Sequence, residues 1–303
     1  MDTIDSQKYS SAPSISIIGA GVVGVATGRG FAEHGARVTF LDISATRVAE
    51  LANEGLDARL AEDHRSSEFD FHLISVSTPT VRGRVDLGPV RSAAKFVGRS
   101  LREQDSWTCV VVRSTVPPGT TDDVVRPIIE EESGKVAGRD FGLSMNPEFL
   151  RAATAYEDFV APRVIVFGGT GENSESSMRR LYEPWKDVEL VAMSNREAEA
   201  TKYTANLFNA AKISFFNELH DAFKGLGIDS TLPFETAAKG AEGLWNPVYG
   251  IRGGEAFSGV CLPKDTAAFI GFGRDLGIDL RILEAVVETN VRLGGDRLID
   301  EAL

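Results

Sequence analysis

Cysteine is almost missing: there are 2 in 303 residues, Cys109 and Cys261, too few for a disulfide framework. No run of about 18 apolar residues occurs, which argues against a membrane-spanning helix. The opening MDTIDSQKYSSAP has no basic segment leading into an apolar one, so it does not look like a secretory signal. Residues 1–13 are expected to be a flexible tail, and the expected compartment is the cytoplasm. Positive charge is also scarce. Against 44 Asp and Glu stand 32 Lys and Arg, a formal charge of −12. That balance disfavours a nucleic-acid or anionic-membrane partner while leaving room for a local basic pocket. No internal repeat, low-complexity tract or metal site is expected. What remains is an ordinary globular composition, 43% hydrophobic and 25% charged, in a chain long enough for one large or two medium domains.

Runs rich in β-branched residues at 14–18, 37–42, 71–76, 108–112 and 163–167 predict strands, with helical or loop segments such as 22–34 between them. The alternation predicts an α/β fold. A Rossmann-type doubly wound parallel sheet, with helices on both faces, is expected over 14–193. After Val191 the character changes. SNRE at 194–197 is a Ser-x-x-Glu capping box, and neither Gly nor Pro follows until Gly225. Some thirty residues at about 1.5 Å each predict a helix roughly 45 Å long, enough to join two domains or two subunits. It opens a mainly helical domain, 194–303, interrupted by a glycine-rich loop at 249–261.

The strand at 14–18 runs into Gly19-Ala-Gly21-Val22-Val23-Gly24, which opens a helix. Gly19 permits the tight turn, Gly21 lets a pyrophosphate reach the backbone, and Gly24 allows the helix to pack closely on the strand. The helix N-terminus at Val22 and Val23 supplies an anion site. Asp42 ends the next strand, where a carboxylate would bind the adenosine ribose hydroxyls. A 2′-phosphate beside it would be repelled. The expected cofactor is therefore NAD.

Three later segments hold chemistry. RSTVPPGT at 113–120 lies at a strand's C-terminal end, where open α/β sheets bind ligands. NPEFL at 146–150 follows another short run. In GVCLPKD at 259–265, Pro263 is expected as the first helical residue, with Cys261 just before the helix and Lys264 and Asp265 in its first turn. A helix N-terminus beside a lysine favours a thiolate nucleophile, although a lone cysteine is as readily structural. Cys109 is more simply a buried strand residue. On the long helix, Lys202 and Asn206 are four apart and share a face, continued by Asn209, Ile213 and Asn217.

GAGVVG, STPT at 77–80, STVPPGT, NPEFL, the Lys202–Asn206 helix running into KISFFNEL, and CLPKD together resemble the UDP-glucose/GDP-mannose dehydrogenase family. The resemblance runs from about Ser14 to the end of the chain. It implies an NAD-dependent enzyme that oxidises the primary alcohol of a nucleotide sugar twice, to a uronate. It implies that Cys261 traps the aldehyde as a thiohemiacetal, which becomes a thioester. Lys202 and Asn206 would stabilise oxyanions, Asp265 would work with Lys202 on a water, Glu148 would assist thioester hydrolysis, and Thr115 would orient the water. It further implies cofactor contacts from Ser77, Thr78, Pro79, Ser114, Thr115 and Lys264. Substrate contacts are implied for Glu148, Phe149, Leu150, Lys202, Asn206, Arg252, Phe257 and Gly259. A homodimer through the helical domain is implied as well.

The chain departs from the family pattern in four ways. Ala152 stands where members usually have a glutamate. The loop before Cys261 has Ser258 and Val260 in place of the usual Gly and Ser, and 243–249 lacks an arginine, the first being Arg252. Only 38 residues follow Asp265, too few for the further C-terminal domain that members usually carry, so the expectation is a short member acting on an altered, still nucleotide-type substrate. Two rival readings stand beside it: a single two-electron dehydrogenase of the β-hydroxyacid type, and a non-catalytic NAD-binding partner protein.

Overall fold

The computed structural model describes residues 12–63 and 69–295. Most of the expected tail, residues 1–11, and the last residues of the expected helical domain, 296–303, lie outside the described residues.

The first half alternates strands and helices: β1 Ser14–Ile18, α1 Val22–Glu33, β2 Arg37–Asp42, α2 Ala45–Asn53, β3 Ala58–Leu60 and β4 Phe71–Ile74. A short hairpin, β5 Thr80–Val81 with β6 Arg84–Val85, leads to α3 Gly88–Glu103 and β7 Cys109–Val112. A π-helical turn, Thr121–Val125, then runs into α4 Arg126–Ser133, followed by β8 Gly142–Met145. Six strands form one sheet in the order β3-β2-β1-β4-β7-β8, parallel throughout. The chain leaves β1 toward β3 and returns to lay β4 on the other side of β1. That reversal opens a crevice at the C-terminal ends of β1 and β4.

Successive side chains on a strand point to opposite faces, so both faces are apolar here. Ile15, Ile17, Leu73 and Val111 pack with Phe31 of α1 and with Phe159, Tyr182 and Trp185. Ile18, Ile74, Val110 and Val112 pack with Val90, Ala94, Val97 and Leu101 of α3 and Ile129 of α4. The expected strand at 163–167 does not join this sheet. It is β9 Ile165–Gly168, which follows a 3-10 turn Ala152–Thr154 and α5 Ala155–Val160 and, beyond α6 Glu172–Leu181, pairs in parallel with β10 Leu190–Met193. The sixth strand of the sheet is instead β8, directly before NPEFL.

The expected capping box opens α7, Asn195–Gly225. Ser194 N and Oγ both donate to Glu197 Oε2, at 2.8 and 2.7 Å, while Glu197 N returns a bond to Ser194 Oγ. Two compact units, Met1–Ala205 and Asn206–Leu303, divide inside this helix, twelve residues beyond the boundary suggested by sequence. One face of the first two turns of α7 is buried in the first unit, through Asn195, Ala198, Glu199 and Lys202. The second unit is helical: the rest of α7, α8 Thr231–Gly240, α9 Glu242–Trp245, α10 Cys261–Asp275 and α11 Arg281–Arg292. Ala222, Ile270, Leu280, Leu283 and Val287 form its core.

One carboxylate fastens the start of the sheet. Asp70 Oδ2 accepts from Ser14 N and Ser14 Oγ, both at 2.8 Å, and Oδ1 from Arg180 Nη2 at 2.9 Å. Burial pushes this carboxyl upward, but the Ser14 and Arg180 donors outweigh it and hold it below the usual range. Such a group stabilises the fold fully above the ordinary carboxylate pKa, and the contribution is lost as pH falls through the depressed value. Asp70→Asn should therefore cost about 1–2 kcal/mol at pH 7, lowering Tm by about 3–6 °C. The difference should shrink at about pH 3; melting curves of both proteins at the two pH values check this.

Candidate active site

The crevice at the switch point holds a cavity of about 970 Å³, lined among others by Gly19, Gly21, Val22, Val23, Asp42, Ser77, Thr78, Ser114, Thr115 and Glu148. Gly19 adopts φ +97°, and a Cβ there would sit 2.6 Å from Ser75 O at the end of β4. A Cβ on Gly24 would lie 2.1 Å from Gly19 O, so the helix can approach the turn only without one. Gly21 is different: a Cβ would meet nothing within 4 Å. Gly21 caps α1 without a side-chain bond, and no acid lies in the first turn. The amides there are free to receive an anion, which the positive end of the helix favours.

Asp42 is held at the cavity wall by Ala20 N (2.7 Å) and Ser44 N (2.9 Å). Each carboxylate oxygen keeps a lone pair for a ribose hydroxyl. Ser114 Oγ donates to Val76 O at 2.7 Å, tying the end of β7 to the end of β4. These residues fit a dinucleotide: the free amides of Val22 and Val23 would hold its pyrophosphate and Asp42 its adenosine ribose. Pro79 does not line the cavity. Its carbonyl accepts from Asp86 N and closes the loop around the β5–β6 hairpin.

The NPEFL segment is set by a buried polar network. Arg113, 4% exposed, donates to Thr27 Oγ1 at 2.9 Å, to Tyr182 Oη at 3.1 Å and to Asn146 Oδ1. Its guanidinium lies 5.3 Å from the Phe159 ring centroid. Tyr182 also donates to Asn146 Oδ1 at 2.6 Å, and Asn146 Nδ2 donates to Val166 O at 2.7 Å. Two residues on, Glu148 accepts from Leu150 N at 2.6 Å through Oε2 and pairs through Oε1 with Lys202 Nζ at 2.9 Å. The Lys202 and Glu148 side chains are only 6% and 11% exposed. Lys202 also lies 5.8 Å from the Phe149 ring centroid. A second cavity, about 560 Å³, shares Arg113 and Glu148 with the first and is lined by Phe149, Leu150 and Arg151 as well.

Lys202 thus has Glu148 as its carboxylate partner, and the polar row along α7 is not one environment. Lys202 is buried in the first unit, while Asn206, Asn209, Ile213 and Asn217 are exposed. Two residues outside the expected set, Asn195 and Glu199, share the buried stripe. Asn195 Oδ1 accepts from Met145 N at 2.9 Å and its Nδ2 donates to Asp122 Oδ1 at 3.0 Å. Only the spacing 195, 198, 199, 202 could have signalled this stripe, and its polar residues read as a solvated face.

In the second unit, Asn206, Arg252, Gly259, Cys261, Lys264 and Asp265 are exposed and Phe257 is half-buried. The expected helix start needs correction. α10 begins at Cys261 itself, and Pro263 is its third residue. A proline is tolerated there because the first few N–H groups of a helix have no intrahelical partner. Asp265 pairs with its neighbour Lys264, which raises the lysine's pKa. The loop before Cys261 is held by Asn290, 3% exposed. Its Oδ1 accepts from Phe257 N at 2.7 Å and its Nδ2 donates to Phe257 O at 3.1 Å. Asn290, deep in α11, was not expected from sequence either. Ala152 lies in the 3-10 turn and is exposed, so no carboxylate stands at that position. Among the described residues, no helix is long and apolar enough to cross a membrane.

The chain is similar to known proteins over most of its length. The chain is 36% identical over 300 residues to a UDP-glucose 6-dehydrogenase of Haloferax volcanii, an overlap of 91% of this chain and 69% of the relative. It is 32% identical over 297 residues to the GDP-mannose 6-dehydrogenase of Pseudomonas aeruginosa, with 91% and 68% covered. Among solved structures, a ternary complex of the P. aeruginosa GDP-mannose dehydrogenase gives a TM-score of 0.86 at 32% identity, covering 92% of this chain and 68% of that one. A UDP-glucose dehydrogenase from Pyrobaculum islandicum gives 0.69 at 36% identity, with 94% and 69% covered. Residues 13–186 match the UDP-glucose/GDP-mannose dehydrogenase family, NAD binding domain, and residues 196–292 match its central domain. The chain, with its NAD-binding crevice and buried Lys202–Glu148 pair, belongs to the UDP-glucose/GDP-mannose dehydrogenase family.

Proposed function

We propose that this protein oxidises a primary alcohol on a nucleotide-sugar or nucleotide-type substrate in two steps to a carboxylate, with NAD as oxidant and Cys261 as nucleophile. The observation that carries this reading is the Lys202–Glu148 pair, 2.9 Å apart and withdrawn from water, with Glu148 on the wall of the dinucleotide cavity. NAD, when bound, supplies the hydride acceptor for both oxidations. In the first, the alcohol carbon gives up a hydride and its oxygen passes a proton to a water held by Asp265 and Lys202, which also takes the hydroxyl proton of the second oxidation, while Lys202 and Asn206 stabilise the charge that develops on that oxygen. The Cys261 thiol then adds to the aldehyde carbon, forming a C–S bond as its proton moves to the aldehyde oxygen. Loss of a second hydride from that carbon, and of the hydroxyl proton, leaves a thioester. Water oriented by Thr115 attacks it, the C–S bond breaks, and the products are the carboxylate and the free thiol. Glu148 and Asp265 are the proton carriers of this last step.

Two further readings belong with this one. Residues 206–214 of α7 leave Leu207, Phe208 and Ile213 exposed at 64%, 58% and 62%, which supports a homodimer formed on the helical domain. Both cysteines are free thiols, in keeping with a reducing cytoplasm.

A panel of UDP-glucose, GDP-mannose and unmodified nucleotides or nucleosides, followed by NADH absorbance and product mass, tests the reaction. Two NADH per substrate and a carboxylate product are expected; one NADH and an aldehyde or ketone would overturn the double oxidation. Cys261→Ser should abolish carboxylate formation, and a normal rate in that variant would remove the thioester from the mechanism. Lys202→Ala should lower kcat by about 10²–10³-fold, the usual cost of losing one oxyanion stabiliser.

A further inference from the structure

The geometry points to Glu199 as a positioning residue: its carboxylate holds the loop that carries Ser114 and Thr115 against the helix that carries Lys202. The inference rests on the roles given above to Thr115 and Lys202.

Glu199 is fully buried, yet the proposed chemistry does not use it. Its Oε1 accepts from Thr121 N at 2.7 Å and its Oε2 from Gly119 N. Both amides belong to the end of the 113–120 loop and the start of the helical run that continues into α4. Thr121 and Gly119 thus spend their N–H groups on a side chain of α7. With both oxygens engaged by backbone donors, the carboxylate is not placed to act as a base on substrate. It acts through the loop.

A buried carboxylate is expensive unless its charge is met. Among the described residues, no Lys or Arg forms an ion pair with Glu199. What meets the charge is the N-terminus of a helix: two amides and the positive end of the peptide dipoles that run on through Ser133. The other acids beside it have their own partners. Asp122 pairs with Arg126 and accepts from Asn195 Nδ2, and Asp123 pairs with Arg196 at 2.7 Å. Burial is the largest influence on Glu199 and raises its pKa, with the Thr121 side chain and then the amides of Thr121 and Gly119 pulling the other way. A leucine of similar size would avoid the burial of charge altogether. What only the carboxylate provides is a two-point grip on the backbone.

That grip sits in a tightly determined turn. Gly119 adopts φ +97°, and a Cβ there would lie 2.8 Å from Asp123 Oδ2. Thr120 N and Oγ1 both donate to Pro117 O, at 3.1 and 2.6 Å. Four residues before Gly119, Thr115 lines the dinucleotide cavity, and one turn along α7 from Glu199, Lys202 meets Glu148. One side chain therefore couples the spacing of two proposed catalytic groups.

Glu199→Gln preserves the shape but turns one acceptor into an N–H donor facing an amide, so one of the two bonds is lost. In the full chain, hydrogen–deuterium exchange should rise about 10-fold or more in peptides covering 113–125, and stay unchanged in the strands of the sheet. With a nucleotide-sugar substrate, kcat should fall about 10-fold or more while both KM values change less than about twofold, since a misplacement of about 1 Å is enough for such losses. Glu199→Asp, which keeps the charge but can reach only one amide, should fall between wild type and Glu199→Gln; it also serves if Glu199→Gln does not fold. Unchanged exchange at 113–125, or faster exchange with kcat unaltered, overturns the proposal. If the wild-type protein oxidises none of the nucleotide sugars, the functional reading fails, and the exchange measurement alone then decides whether Glu199 holds the loop.

Discussion

The ion pair between Lys202 and Glu148 is the contact on which the NPEFL segment and the start of α7 both depend. Each is nearly removed from water, so neither charge is tolerable without the other. This forces the NPEFL segment and α7 to be built to one another's dimensions. Arg113, Asn146 and Tyr182 support the NPEFL segment from beneath, and Asn195 ties the first turn of α7 to the end of β8. The dinucleotide crevice, by contrast, depends mainly on backbone: two glycines that allow close approach, one that leaves room, and an aspartate held by two amides.

Two carboxylates of α7, Glu199 fully buried and Glu218 partly so, are met by helix N-termini. Glu199 accepts from the amides that open the helical run before α4. Glu218, farther along α7, accepts from Ile282 N at 2.7 Å and Leu283 N at 3.2 Å at the start of α11. Within each unit, then, a glutamate from the same long helix caps another helix whose own flanking residue makes no side-chain cap. Such cross-capping satisfies orphan amides and fixes a relative position at once. A long helix of this kind is an organiser as well as a spacer.

Much of this was legible in the sequence, for definite reasons. The run from β1 through GAGVVG and α1 to Asp42 has strand period, glycine spacing and a terminal acid, all local signals. The capping box and the absence of Gly and Pro marked α7 to within a residue. The start of α10 was misjudged because proline is compatible with several early helical positions, and nothing local chooses among them. Lys202 was chosen through its neighbours in a motif, but its partner Glu148 is 54 residues away and no spacing rule connects them. Asn195, Glu199 and Asn290 were invisible for a different reason. Amphipathic patterning treats polar residues as solvent-facing, and these three are buried among backbone amides and carbonyls.

By itself, then, the sequence determined the order of most strands and helices, the dinucleotide turn and the family, because each is written in neighbouring residues. The tertiary structure alone decided which carboxylate faces Lys202, which loop ends are held by α7, and which polar groups lie out of water. Those outcomes depend on the sheet's reversal between β1 and β4 and on the packing of α7 against distant loops. Burial is what gives a glutamate or an asparagine its hold on a backbone amide, and burial is a property of the folded chain.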